Sequence, residues 1–166
     1  MKMSETCCTK ENGDQPDACC SRSSEKERPP LCPQCGKRGK RVDIITLEHL
    51  LTPTAKRRLG PGPYAFCQTP TCPLVYFTKI EEEPFDTGDL QVPVTQKDLS
   101  DSTPVCYCFH HTRRSIQEEI ERTGRSTVVA SISAEVQAGR CECEIRNPQG
   151  ACCLGNVSRA VKKAMF

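Results

Sequence analysis

The densest chemistry in the chain lies in two short stretches that are rich in cysteine. "TPVCYCFHHT" at 103–112 contains the C-x-C pair Cys106 and Cys108. "GRCECEIRNPQGACCLG" at 139–155 contains a second C-x-C and a C-C pair. Thiols spaced this closely can form disulfides, bind a metal ion or hold an iron–sulfur cluster. The choice among these three chemistries largely decides what the chain does.

The predicted compartment favours metal binding over disulfides. The stretch "MKMSETCCTKENGDQPDACC" has no apolar run of the kind a secretory signal needs, so we predict a cytoplasmic protein. No stretch approaches the roughly 18 apolar residues of a membrane span. Thiols stay reduced in the cytosol. The chain has 14 Cys among 166 residues, 36% hydrophobic residues and no Trp, so we expect metals to replace part of an apolar core.

An earlier group of cysteines has the spacing of zinc knuckles. "CPQCG" at 32–36 puts two thiols on one tight turn, and "CQTPTC" supplies two more. Four thiolates in two knuckles predict a tetrahedral zinc site at Cys32, Cys35, Cys67 and Cys72. Iron in the same sulfur set is one alternative. A redox dithiol at Cys32 and Cys35, with the later two cysteines incidental, is the other.

The C-x-C spacing of Cys106 and Cys108 is tighter than that of a zinc knuckle. Two such ligands can bind one iron of a [2Fe-2S] cluster, with the second iron held from the loop at 141–153. A helix beginning near the C-C pair would turn its free N–H groups and positive dipole end toward that anionic cluster. A second zinc site that uses His110 or His111 is the alternative.

Composition along the chain predicts an α+β protein in four segments. They are a disordered Cys-containing tail at 1–30, a small zinc-stabilised β domain at 31–80, an acidic connector at 81–104 and a helical [2Fe-2S]-binding domain at 105–166. Strand patterns lie at 40–47, 64–67 and 73–80, and "LQVPV" in the connector can form an edge strand at most.

Capping residues place the helices of the last segment. Thr112 can cap a helix that runs through "RRSIQEEIERT" and ends at Gly124. Ser126 or Ser131 can start a second helix, which ends at Gly139. A final helix follows the C-C pair. The predicted order is therefore loop, helix, helix, cysteine loop, helix.

Net charge argues against nucleic acid as a partner. The chain carries a formal +2, with +6 at 32–80, −6 at 81–104 and +3 at 105–166. Eight bound thiolates, set against a zinc ion and an oxidised two-iron core, would bring the loaded protein to about −2. Nucleic-acid binders carry a strongly basic surface. We therefore expect no nucleic-acid partner and no membrane insertion.

Four motifs in order, "CPQCGKRGKRV", "FCQTPTCPLVYF", "PVCYCF" and "NPQGACC", carry a resemblance to a known family. Over roughly 31–163 the chain resembles the N-terminal region of copper chaperones of the CopZ type. That region pairs a zinc domain with a helical domain like bacterioferritin-associated ferredoxin. The resemblance implies zinc at the four cysteines named above. It implies [2Fe-2S] ligation by Cys106, Cys108, Cys143 and Cys153, with Cys152 the competitor of Cys153.

The chain departs from that family in three respects. Cys141 is an extra thiol. The longer chaperones continue into a heavy-metal-associated domain with M-x-C-x-x-C, whereas this sequence ends at Phe166 without it, so we expect no direct Cu(I) handover by that route. Four tail cysteines have no counterpart and are candidates for capture of soft metals: Cys7, Cys8, Cys19 and Cys20.

The function implied by the resemblance is non-enzymatic. The chain would pass single electrons, for example to reduce Cu(II) to Cu(I), with an electron donor and a copper chaperone or pump as partners. The second hypothesis is binding or delivery of Cu(I) or Hg(II), in heavy-metal resistance, through the N-terminal Cys pairs. The third is an iron–sulfur redox sensor. The sequence contains no phosphate-binding glycine loop and no nucleophile–base signature that would indicate an enzyme.

Overall fold

The computed structural model describes residues 28–79 and 83–166. In chain order the elements are β1 Lys40–Val42, α1 Ile44–Leu50, α2 Pro53–Lys56, β2 Tyr64–Phe66, β3 Leu74–Phe77, β4 Phe85–Asp86, a 3-10 turn Thr87–Asp89, β5 Pro104–Cys106, β6 His111–Thr112, α3 Arg113–Thr123, α4 Val128–Gln137, α5 Cys143–Arg146 and α6 Leu154–Met165. The fold is α+β, as predicted, with strands mainly in the first part and helices in the last.

The first part is built on an antiparallel sheet in the order β1-β2-β3-β4. Phe66 on β2 lies opposite Tyr76 on β3, and both side chains are fully buried. Leu47 and Leu51, from α1 and its C-terminal end, belong to the same buried cluster. The short helices therefore cover the face of the sheet and exclude water from its aromatic residues.

The strand predicted at 40–47 ends early, at Val42. Asp43 has an extended backbone, and its side chain accepts a hydrogen bond from the Ile45 N–H, so it caps helix α1. The prediction of a strand was wrong after Val42. A capping side chain and burial of Leu47 and Leu50 on one helical face outweigh the β-branched composition of the segment.

The segment predicted as a connector contributes to the sheet. Phe85, in β4, is buried and pairs with Tyr76 of β3. "LQVPV" forms no strand; its Leu90 makes only an isolated bridge to Leu51. The edge strand therefore lies five residues before the predicted position, where no proline interrupts the pairing with β3.

The last part is a β5–β6 ribbon and the helices α3, α4 and α6. Thr112 and Gly124 bound α3 as predicted, the first with a capping box and the second at a positive φ of 74°. Helix α4 starts after Thr127 rather than at Ser126 or Ser131, and the chain turns at Gly139. Helix α6 begins directly after the C-C pair, as predicted. The one-turn helix α5 was not predicted.

Direct contacts join the two parts, which we call the sheet half (28–79 and 83–104) and the helical half (105–166). Helix α5 packs on helix α1. The Thr46 hydroxyl donates to the Glu144 carbonyl oxygen at 2.6 Å, and the buried Tyr76 hydroxyl donates to the Pro148 carbonyl oxygen at 2.7 Å. Within the described ranges, no helix has the length and apolar content to cross a membrane.

Candidate metal centres

Four cysteine sulfurs of the sheet half form a compact group, which we call the four-thiol centre. It consists of Cys32, Cys35, Cys67 and Cys72, whose Sγ atoms all lie within 4.8 Å of one another. The Cys32 and Cys72 sulfurs are 3.8 Å apart, and those of Cys35 and Cys67 are 3.7 Å apart. A tetrahedral zinc ion with Zn–S bonds of about 2.3 Å separates its sulfurs by about 3.8 Å. The donor set therefore fits one tetrahedral zinc ion.

Two tight loops place these thiols. In the first loop, Cys32 and Cys35 face the same point because the chain turns back on itself, with Gly36 at φ 68° and its N–H bonded to the Cys32 carbonyl. In the second, Cys67 follows β2 and Cys72 precedes β3. The pairing of these two strands fixes the separation of the second pair of thiols.

The sulfurs of the four-thiol centre differ in proton affinity. Hydrogen bonds from the Thr69 hydroxyl and the Lys37 N–H lower the pKa of Cys35 to about 6. Burial raises the pKa of Cys72 to about 12 and also raises that of Cys32. Cys35 thus offers a thiolate at neutral pH, whereas Cys72 and Cys32 release protons when a metal binds.

A lysine from the acidic segment supports the second knuckle. Lys97 Nζ donates to the carbonyl oxygens of Thr69 and Cys72, at 2.9 and 2.8 Å. Its charge partly offsets the negative charge of four thiolates. Sequence reasoning missed this residue. The available signal was that Lys97 is the one basic residue in the otherwise acidic 81–104.

A second group of cysteines lies in the helical half, and we call it the loop centre. It consists of Cys106, Cys108, Cys143 and Cys153. The Cys108 and Cys143 sulfurs are 3.7 Å apart, and Cys153 lies close enough to Cys106 and Cys143 for its thiol to lower the pKa of both. The sequence predicted that the two thiols of the C-x-C bind one iron, with the second iron held from the loop at 141–153. In the structure each of these two thiols lies beside a thiol from that loop.

The loop centre is wider than a single-ion site. Among residues 28–79 and 83–166, the four-thiol centre is the only set of three or more Cys, His, Asp or Glu ligand atoms that all lie within 4.8 Å of one another. No histidine therefore joins the loop centre in such a set. His110 is exposed with a positive φ of 56°, and His111 is half-buried.

Strand and helix ends supply the four thiols of the loop centre. Cys106 ends β5, and Cys108 lies in the turn before β6. Cys143 begins α5, and Cys153 occupies the position directly before α6. The Glu142 N–H donates to the Cys108 sulfur at 3.4 Å. Backbone donors near helix starts favour negatively charged sulfur at these positions.

Mutual hydrogen bonding spreads the proton affinities of the loop centre. The Cys153 thiol donates to its neighbours, which lowers the pKa of Cys143 to about 5 and that of Cys106 to about 7. Those same bonds raise the pKa of Cys153, and burial raises that of Cys108 to about 12. Four thiolates cannot share this space without positive charge to neutralise them, so the donor set suits bound metal.

Burial separates the competing cysteines of the C-C pair. Cys153 is 1% exposed and reaches Cys106 and Cys143, whereas Cys152 is exposed. Geometry therefore favours Cys153 for the loop centre. Cys141 is half-buried. Its pKa is raised mainly by burial, and also by negative charge on Cys143 and Cys152. The tail candidates lie outside the described residues: Cys7, Cys8, Cys19 and Cys20.

Residues that hold the 147–153 loop were mostly missed by sequence reasoning. The buried Asn147 side chain donates to the Ala151 carbonyl at 2.6 Å. Gly150 has φ 61°, and a Cβ there would lie 2.8 Å from Val42 Cγ2 and 3.0 Å from Thr46 Oγ1. The "NPQG" turn signature was available in the sequence, but its contact with β1 and α1 was not.

The fold and the four-thiol centre define a zinc-binding α+β protein. The family described as "Zinc binding domain" (zf_CopZ) matches residues 29–91. The copper chaperone CopZ of Archaeoglobus fulgidus is 30% identical over 129 residues, which cover 77% of this chain and 60% of that protein. The X-ray structure of the Archaeoglobus fulgidus CopZ N-terminal domain is similar with a TM-score of 0.65 and 30% identity, over 78% of this chain and 96% of that one.

The chain belongs to the family of the CopZ N-terminal domain. The predicted resemblance is confirmed, and with it the zinc-binding domain. This chain spans about 60% of the length of the curated relative.

Proposed function

We propose that the chain is a non-enzymatic redox and metal-handling protein, with resident zinc in the four-thiol centre and a [2Fe-2S] cluster in the loop centre. The observation that carries the proposal is the shape of the loop centre. Four thiols from three loop regions lie beside one another in pairs, yet no three of their sulfurs all lie within 4.8 Å of one another, as the sulfurs of the four-thiol centre do. When bound, a [2Fe-2S] cluster supplies a one-electron couple.

The surrounding residues would shield such a group on one side only. Cys106, Cys143 and Cys153 are buried, and Cys106 and Cys153 belong to an apolar cluster with Ile116 and Val157. Cys108 is half-buried and lies nearest the surface. The apolar side excludes water from the sulfurs, and the Cys108 side leaves a route for electrons to and from a partner.

Copper is the metal that the family suggests as the recipient of the electron. The Archaeoglobus fulgidus relative is a copper chaperone, so we propose that this chain supports reduction of Cu(II) to Cu(I) in the cytoplasm. Its partners would be an electron donor and a copper chaperone or pump. The ten described cysteines are all free, which suits a reducing compartment.

The test is metal analysis of the full chain purified without oxygen. We expect equal amounts of iron and acid-labile sulfide, bound zinc, visible absorption, and an EPR signal after one-electron reduction. Cys108→Ser should remove the iron and leave the zinc. Cys152→Ser, an exposed cysteine outside the loop centre, is the matched control and should keep both metals. A parent protein with zinc in both centres and no iron would refute the cluster.

Capture of soft metals by the tail stays a second prediction. It depends on Cys7, Cys8, Cys19 and Cys20, whose vicinal spacing is the observation that favours it. A chain lacking residues 1–30 should bind less Cu(I) or Hg(II) than the full chain. If both proteins bound the same number of Cu(I) or Hg(II) ions per chain, the tail would have no role in metal capture.

A further inference from the structure

Two thiols beside the loop centre have no role in either proposed resident metal site. Cys141 and Cys152 belong to the same 139–155 stretch as Cys143 and Cys153 but lie on its outer side. Cys152 is exposed and Cys141 is half-buried, in contrast to the buried Cys143 and Cys153. Their positions leave both thiols open to a metal arriving from solvent.

Both side chains line one open cavity at the surface. Residues 141–145 and 150–152 surround a volume of about 600 Å³. Cys141 enters it just before α5, and Cys152 enters it just before α6. Cys143 lines the same cavity but is buried and belongs to the loop centre, which leaves Cys141 and Cys152 as the accessible thiols of the cavity. The cavity therefore brings together two soft donors from opposite ends of the loop.

Two glutamates also line the cavity, Glu142 and Glu144, and the first of them is already engaged. The Glu142 carboxylate is bound by Arg146 Nε at 2.6 Å, an i,i+4 ion pair. A hard cation such as Mg²⁺ or Ca²⁺ prefers several free oxygens, and zinc in a structural site prefers four ligands. Two sulfurs without a histidine suit a soft ion that accepts two ligands, and Cu(I) is such an ion.

We propose that Cys141 and Cys152 form a two-thiolate Cu(I) site on the rim of the loop centre. The inference deepens the proposed function, on which it rests, because it names where the copper cargo would be held. On binding, two S–Cu bonds form and the two thiol protons leave to solvent, with no change of oxidation state. The exposed position of Cys152 lets the thiols of an acceptor protein displace these ligands.

The experiment supplies Cu(I) directly, so that it does not depend on electron transfer. The parent for the assay is the full chain with Cys7, Cys8, Cys19 and Cys20 replaced by Ser, purified without oxygen. Cu(I) is titrated against a chromogenic Cu(I) chelator, and bound copper, iron, sulfide and zinc are measured in the same samples. The comparison is with the same parent that also carries Cys141→Ser, Cys152→Ser or both.

We expect the parent to hold about one chelator-resistant Cu(I) per chain and the double variant to hold none, with iron, sulfide and zinc unchanged. Unchanged Cu(I) binding in the double variant would overturn the inference. So would loss of iron in either single variant, since that thiol would then be a cluster ligand. A parent without iron or sulfide would refute the cluster alone, because the difference in Cu(I) between parent and double variant is still the criterion.

Discussion

The two cysteine centres of this chain are built in different ways. The four-thiol centre is compact, with every sulfur within 4.8 Å of the others; one of its two loops joins the paired strands β2 and β3, and the other precedes β1. The loop centre is more open, and it draws its thiols from a strand end, a turn and two helix starts. A tight turn and the β2–β3 pairing place the thiols of the first centre, whereas contacts with the sheet half help to place those of the second.

Many of those tertiary contacts come from the sheet half. Tyr76 and Thr46 donate hydrogen bonds to the backbone on either side of the loop, at Pro148 and Glu144, and Gly150 sits against Thr46. The dependence is therefore expected to run one way. The loop centre needs a folded sheet half, and the sheet half does not need a filled loop centre.

Removing a ligand of the four-thiol centre should have the largest effect. Cys72→Ser is expected to abolish zinc binding and unfold the sheet half, because structural zinc contributes about 10 kcal/mol or more in small zinc domains. Iron should fall as well, since the 147–153 loop loses its support. The measurement is zinc and iron per chain, together with thermal unfolding by circular dichroism.

The converse variant, Cys143→Ser, tests whether the sheet half depends on the loop centre. It should lose iron while zinc and the melting of the sheet half stay close to those of the parent. Equal loss of both metals in both variants would mean that the two centres form one cooperative unit, and the comparison would fail.

Local chemistry was predictable from the sequence, and long-range contacts were not. The spacing of "CPQCG" and "CQTPTC" identified the thiols that come together, and Thr112 with Gly124 placed α3, because each signal acts within a few residues. Tyr76 and Pro148 are 72 residues apart, and no periodicity or motif reports their hydrogen bond. Asp43 shows a different failure: a capping residue was present, but the neighbouring β-branched residues were weighted above it.

The second-largest effect is expected from a methyl group at Gly150, where the 147–153 loop contacts the sheet half. Gly150→Ala places a Cβ against Val42 and Thr46 and imposes a positive φ on an L side chain. We expect a loss of about 2–4 kcal/mol from strain and overpacking together. Iron retention should fall and zinc should stay bound. Chemical denaturation monitored by far-UV circular dichroism gives the free energy.

Gly139→Ala is the matched control for backbone strain. Gly139 also has a positive φ, of 69°, but a Cβ there meets nothing within 4 Å. It should cost about 1–2 kcal/mol from conformation alone and leave iron in place. If both variants lost the same stability and the same iron, contact between the halves would not explain the position of the loop.

Removal of one buried hydroxyl should have a smaller effect. Tyr76→Phe leaves the Pro148 carbonyl without its donor, at an expected cost of about 1–3 kcal/mol. The altered loop should broaden or shift the EPR signal of the reduced protein. Tyr64→Phe is the control: the Tyr64 hydroxyl accepts from the Gly60 N–H and donates to the Gly60 carbonyl, so it should change stability without changing the EPR signal. Identical spectra for parent and Tyr76→Phe would contradict the positioning role.

The smallest effect tests whether the helical half has stability of its own. The Glu119 carboxylate accepts hydrogen bonds from the Ser126 hydroxyl and from the Thr127 hydroxyl and N–H, which lower the pKa of Glu119. A lowered pKa in the fold means that the stabilisation is present above the ordinary glutamate pKa and is lost as the pH falls below it.

Glu119→Gln should therefore lower the melting temperature at neutral pH. The decrease should be only about 1–3 °C, because the group is exposed and its charge is screened. The difference between parent and variant should shrink as the pH falls through the ordinary glutamate pKa and vanish below the lowered pKa of Glu119. Acid loss of metal is common to both proteins and cancels in the comparison. Glu121→Gln on the same helix is the control for removal of one charge: the Glu121 carboxylate accepts a hydrogen bond from Gln117 of α3 itself, so the contact between α3 and α4 should be unchanged. If the difference in melting temperature did not change with pH, the Glu119 side chain would stabilise the protein through packing and not through its charge.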